Sequence, residues 1–144
     1  MGLYNFAYFQ VGAKAIVRKG NKILLLITPS GLYDFPGGRM DESEVELDLK
    51  EVLTREIREE LGESFECELG EVIFVSKRHY AKNNQDYRVL VIYFDAQFKA
   101  GKVALSEEHS RSIWVEPGSI LSSPEKFISA DEYKQFRDYY QSKL

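Results

Sequence analysis

The chain has 144 residues, 44% hydrophobic and 29% charged, the balance of a globular protein long enough to bury a core. Its net charge of −4 excludes a global basic footprint for nucleic acid, and no apolar run approaches the length of a membrane span. A single cysteine, Cys67, excludes an internal disulfide and a cysteine-built metal site.

Taken in order, the start MGLYNF has no basic stretch leading into an apolar core, so it does not read as a secretory signal, and a cytoplasmic protein is expected. Residues 6–27 read as two strands around a tight turn. Val11, Ala13 and Ala15 alternate, Gly20-Asn21 marks the hairpin, and 23–27 is a continuous apolar run, as in a strand covered on both faces. Pro29-Ser30-Gly31 breaks the pattern, and a short strand over 32–35 delivers the chain to Gly37-Gly38. Those glycines permit a sharp turn and close approach of a ligand, and free N–H groups in such a turn suit phosphate. Leu49, Val52, Leu53, Ile57 and Leu61 then fall three and four apart, which predicts a helix stopped by Gly62 in a left-handed cap.

Residues 66–75 and 87–98 read as strands. The segment 76–86 between them is polar and basic, and two readings stand: a solvated hairpin loop, or a substrate loop with Lys77, Arg78 or Lys82 on phosphates and Tyr80 stacking on a base. A short strand follows at 113–115, and Pro117 opens a helical turn. Residues 130–143 form a final amphipathic helix whose stripe of Tyr133, Phe136 and Tyr140 is expected to be core. The last three residues, Ser142-Lys143-Leu144, spell a peroxisomal address, which three residues match easily by chance. With no repeat or linker, 1–144 reads as one domain of the α/β class, a mixed sheet sandwiched by helices.

The placement of acids on the central helix is unusual. At ~100° per residue, Glu56, Glu59 and Glu60 share an arc of roughly 100°. Glu56 and Glu60 point to the side that carries Leu49, Val52 and Leu53. A buried unpaired carboxylate is costly, and the C-terminal end of a helix disfavours negative charge. A divalent cation is one counter-charge for such a cluster; a solvated acidic face paired with Arg55 and Arg58 is the other reading.

Gly38, five residues, Glu44, then Arg55-Glu56-Ile57-Arg58-Glu59-Glu60-Leu61-Gly62 resembles the Nudix box of the Nudix hydrolase superfamily, with Phe35-Pro36-Gly37-Gly38 ahead of it. Ten residues separate Glu44 from Arg55 where the box has seven, and Glu63 stands where the box has an apolar residue. The resemblance implies an α/β/α sandwich and hydrolysis of a pyrophosphate bond in a nucleoside diphosphate-linked small molecule. It implies Mg²⁺ (or Mn²⁺) held by Glu56, Glu59 and Glu60, with an auxiliary acid ahead of Trp114, where Glu108 is preferred to Glu107. The implied catalytic set is Glu59, Glu60, Arg55, Glu44 and Glu108, with Glu46 as a rival to Glu44 for Arg55. His109 reads either as a base or phosphate contact or as a lone surface histidine. Read from the glycine turn and the basic segment, the candidate substrate contacts are Gly37, Gly38, Arg39, Arg78 and Tyr80.

Two other functions compete: a Nudix-fold domain that senses a nucleotide without cleaving it, and a Ca²⁺-binding acidic domain, which lacks the D-x-D-x-D-G loop. No motif selects among nucleoside triphosphates, nucleotide sugars, ADP-ribose, dinucleoside polyphosphates, coenzyme A and RNA 5′ ends. Low net charge argues against long RNA. Nothing in the sequence sets an oligomeric state.

Overall fold

In the computed structural model, which describes residues 5–143, two adjacent strands define the layers. β1 (Gln10–Lys19) and β2 (Lys22–Ile27) are buried over most of their length, and their side chains alternate between two cores. Ala13, Ala15, Val17, Leu24 and Leu26 face one side, where α1 (Leu49–Leu61) adds Leu53, Ile57 and Leu61. Ile16, Ile23, Leu25 and Ile27 face the other, where α2 (Ala130–Gln141) adds Phe136, flanked by Tyr133, Tyr139 and Tyr140. A strand with both faces covered needs no polar alternation, which is why β2 reads as an unbroken apolar run. The expected α/β/α sandwich is the observed architecture.

The sheet has seven strands. Its main path runs β3 (Tyr33–Asp34), β2, β1, β6 (Gln85–Ala100), β5 (Glu66–Lys82), while β4 (Gly37–Arg39) also pairs with β1 and β7 (Arg111–Val115) with β2. β1 and β6 run parallel from Gln10 opposite Val89 to Arg18 opposite Gln97; the other pairings are antiparallel. With β6 along one edge of β1, the other edge is divided. β2 takes Arg18 and Lys19 beside the hairpin turn, and β4 takes Gly12 to Lys14. Gly37, Gly38 and Arg39 of the candidate site lie where that edge changes partner.

Three expectations are corrected. The polar segment 76–86 is mostly sheet: β5 and β6 stay paired out to Lys82 opposite Gln85, around Asn83 and Asn84 at φ 53° and 62°. Two successive positive φ values make a type I′ turn, which asparagine tolerates, and a two-strand tip wet on both faces needs no apolar alternation. Gly62 ends α1 at φ 93° and ψ 161°, which is not the left-handed cap but is still a conformation that favours glycine. The last helix stops at Gln141. Leu144, the end of the peroxisomal-type tripeptide, and the first four residues of the start lie outside the described residues. Among the described residues no helix is long and apolar enough to cross a membrane.

Phe136 anchors α2. Its ring is fully buried, stacked on Phe35 at 5.7 Å and against Phe74, Phe127 and Tyr140. Phe136→Ala is expected to cost about 3–5 kcal/mol in urea unfolding; a loss below about 1 kcal/mol would mean that α2 is not packed there.

Candidate active site

Arg55 organises the acids of α1. Its guanidinium donates to both carboxylate oxygens of Glu44, to Glu56 Oε1 at 2.8 Å, and to both oxygens of Glu59 at 3.0 Å. Glu44 is buried, closes a short 3₁₀ turn capped by Asp41, and is held below the usual carboxylate range by Arg55. The segment 45–48 takes up the three extra residues outside this contact, with Val45 and Leu47 exposed. Glu44, not the exposed Glu46, is therefore the partner of Arg55. Burial raises the Glu56 carboxyl, and Arg55 offsets part of that.

Glu60 sits one turn on and is 3% exposed. Its Oε1 accepts the Gly37 N–H at 3.0 Å, and the Gly37 carbonyl accepts Lys14 Nζ at 3.1 Å. The approach depends on glycine. At Gly37 (φ 139°) a Cβ would lie 2.0 Å from the Ala13 carbonyl oxygen, and at Gly38 it would lie 2.4 Å from the Glu56 carboxylate.

The last turn of α1 leaves carbonyls without helical partners. Ala104 N–H fills that of Leu61 at 2.7 Å and Ser106 N–H that of Glu60 at 3.1 Å. The strap continues into Glu108 and His109, whose ligand atoms and that of Glu60 all lie within 4.8 Å of one another. Glu107 and Glu108 are both exposed, but only Glu108 belongs to this group. Sequence reading left His109 open to a surface role, but the residue is buried. Its Nε2 lies 2.9 Å from Asp34 Oδ2 and its Nδ1 3.5 Å from Glu60 Oε2. Both Nδ1 and Oε2 are buried without a hydrogen-bond partner.

Glu59 does not join this trio. Its side chain is 58% exposed and is held by Arg55. The three helix acids thus divide: Glu60 faces Glu108 and His109, while Glu56 and Glu59 share Arg55 with Glu44.

A cavity of about 540 Å³ opens beside these groups. Gly37, Gly38, Arg39, Arg78 and Tyr80 all line it, as do Glu56 and Glu108, whereas Lys77 and Lys82 do not. Arg39 donates to Gln10 Oε1 at 2.8 Å and to the Tyr80 hydroxyl. Arg78 is committed to Glu132 at 3.0 Å, with Asp34 at 3.8 Å.

Sequence reading missed Lys14, Asp34 and Glu132. Lys14 interrupts the apolar run of β1 at a position in phase with Ile16, a signal visible in the sequence. Glu132 is fully buried and is met by Arg78 and the Tyr93 hydroxyl, neither of which is local. Burial alone would raise Asp34, but Lys14, the His109 hydrogen bond and Arg78 reverse this and hold it far below the usual range. Burial would lower His109, yet Asp34 and Glu60 outweigh it and the net shift is upward.

Burial dominates at Glu60 and pushes it from 4.5 to about 7, against the pull of Lys14 and the Gly37 N–H. Unfolded Glu60 ionises near 4.5, so its contribution to stability is full below that pH and is lost as pH rises through about 7. At pH 8 without divalent cations, Glu60→Gln, which keeps the Gly37 contact, is expected to be more stable than the parent by up to about 3 kcal/mol, with little difference near pH 4.5. Urea unfolding at the two pH values measures this; an equal difference at both would refute it.

The NUDIX domain family model matches residues 8–139. Among solved structures, the MutT protein of Methanosarcina mazei Go1 is 25% identical, with a TM-score of 0.73 over 94% of this chain and 95% of that one. An ADP-ribose pyrophosphatase of Streptococcus suis 89-1591 (18% identity, TM-score 0.65, 93% and 91% covered) and a C. elegans Ap4A hydrolase (19%, 0.66, 94% and 99%) share the fold. A comparison with curated proteins yields no match. A family match across almost the whole chain, on a fold shared with these structures, shows that the chain belongs to the NUDIX domain family of the Nudix hydrolase superfamily.

Proposed function

We propose that this Nudix pyrophosphohydrolase uses Mg²⁺ or Mn²⁺ to hydrolyse the pyrophosphate bond of a nucleoside diphosphate-linked small molecule. One observation carries the reading. Glu60 Oε2 is buried, has no hydrogen-bond partner, and faces Glu108 and His109. A protein does not leave a buried carboxylate oxygen unmet without cost, and an oxygen-rich set of this kind suits a hard divalent cation. Glu56, Glu60 and Glu108 would hold it, and the box motif alone supports Glu59, which Arg55 holds apart from them here. The bound cation would neutralise charge on phosphate oxygens and lower the pKa of water.

The chain's own residues supply the rest. The Gly37 N–H fixes one oxygen of Glu60 and so aims the other. Arg55 holds Glu56 and Glu59 in one orientation through bonds braced by Glu44. Glu60 or Glu108 would take a proton from the attacking water, a reading that their proximity supports. Arg39 meets only neutral partners in Gln10 and Tyr80, so its charge is available to a phosphate at the cavity wall. MutT, ADP-ribose pyrophosphatase and Ap4A hydrolase among the fold's relatives support a nucleotide-derived substrate.

A panel of nucleoside triphosphates, nucleotide sugars, ADP-ribose and dinucleoside polyphosphates is expected to give phosphate or nucleotide release only with Mg²⁺ or Mn²⁺. Glu60→Gln should lower turnover on the best substrate by about 10²-fold or more while the circular dichroism spectrum is kept. Binding without release across the panel would instead identify a nucleotide sensor. Ca²⁺ should bind yet support turnover at less than roughly a tenth of the Mg²⁺ rate, because it prefers looser and higher coordination; equal rates would contradict this.

A further inference from the structure

Gly12, in the interior of β1, has no internal reason to be glycine. A glycine within a strand weakens it, and a bulge, a special φ or a close approach explains such a residue. Gly12 shows neither of the first two. It pairs in register with Arg39 on β4 and Val91 on β6, and its φ lies outside the range that favours glycine. Nor is it crowded. A Cβ there would meet the Gly38 carbonyl oxygen at 3.5 Å, Arg39 Cγ at 3.6 Å and Val89 Cγ1 at 3.7 Å, all ordinary contacts. Gly37 and Gly38 differ in kind, since a Cβ on either would collide with a neighbour.

The space over Gly12 belongs to the cavity. The two-residue period of β1 puts Gly12 on the face of Lys14 and Ile16, and Val89 and Val91 of β6 belong to the core on that face. Arg39, its partner on β4, holds the Tyr80 hydroxyl. One side of Gly12 is thus apolar, and the other adjoins Gly38, which touches the Glu56 carboxylate. An apolar seat beside an acid-lined, cation-binding pocket has the polarity of a nucleotide, with a planar base at one end and phosphates at the other.

We propose that Gly12 is a specificity-determining residue, whose missing side chain widens the cavity beside the nearly buried Val89 and Val91, where the nucleobase of the substrate would sit. The inference rests on the nucleotide reading above and adds where the base lies. A side chain at position 12 would lie against Val89, the stem of Arg39 and the Gly38 carbonyl oxygen.

The test is a size series. Gly12→Ala should stay within about threefold of the parent, and Gly12→Leu should raise KM for the best nucleotide substrate by about tenfold or more with kcat changed less than about threefold. Mn²⁺ affinity, read by electron paramagnetic resonance, should be unchanged in both. A folded Gly12→Leu protein with parental KM overturns the proposal. Should that variant fail to fold, titration of the unaltered protein with AMP, GMP, CMP and UMP decides. Amide shifts at Gly12, Val89 and Val91 with at least one of them are expected, and none with any of the four overturns it. Shifts there in a protein that releases no phosphate from any compound with Mg²⁺ would keep this inference and sink the catalytic reading instead.

Discussion

One peptide group joins the two halves of the site. The Gly37 carbonyl accepts the ammonium of Lys14, which rises from the face of β1 that α2 covers, and the Gly37 N–H donates to Glu60 on α1, across the sheet. A buried cation and a buried carboxylate from opposite layers are thereby held through a single polar bridge. The bridge requires β4 to lie so close to β1 that no side chain fits at Gly37. Glycine at 37 is thus a geometric requirement of the acid's position, and glycine at 38 leaves room for the Glu56 carboxylate.

Behind this bridge lies a chain of buried charges. Asp34 is shared by Lys14 at 3.1 Å, His109 at 2.9 Å and, more distantly, Arg78, which passes the contact on to Glu132 at the start of α2. Buried ion pairs contribute little net stability, but removing one member leaves an uncompensated charge and is costly. The network therefore fixes geometry more than it stabilises. It ties β1, β3, the strap carrying His109, β5 and α2 to one set of distances, so the carboxylates of α1 face a wall that cannot drift. Preorganisation of this kind is what a site needs to hold charge in a fixed place.

The fold was legible where periodicity was strong. β1, β2, α1 and α2 each declare their faces through apolar spacing, and the box motif located Glu44, Arg55 and the helix acids despite the longer loop. Legibility failed where the cause is remote. His109 sits in a polar stretch, and the buried partner it meets is Asp34, 75 residues away. The outer part of the β5–β6 hairpin carries no alternation because both its faces are wet, and its order comes from the ladder and the Asn83-Asn84 turn. Lys14 is a different kind of miss. A charge in phase with a core residue on a doubly covered strand is a local anomaly, and such anomalies mark functional or strained positions. The helix wheel placed Glu59 with Glu56 and Glu60, but a wheel carries no information about Arg55, whose five donors draw Glu59 away from Glu60.

The accounting of charge around the cavity gives the site its logic. Lys14 is committed to Asp34, Arg78 to Glu132, and Arg55 to three glutamates. Among the described lysines and arginines lining the cavity, Arg39 alone has only neutral partners. A pyrophosphate entering beside Glu56, Glu60 and Glu108 would meet mostly negative charge and a single uncommitted cation, and at contact distance like charges in a partly dry cavity repel by several kcal/mol (about 4 kcal/mol for a unit pair at an effective dielectric of 20). Arg39 cannot offset that alone. Such an arrangement would be hostile to a bare phosphoanhydride and hospitable to one that arrives with divalent cations, so the carboxylates proposed to bind the cation would also reject the substrate in its absence.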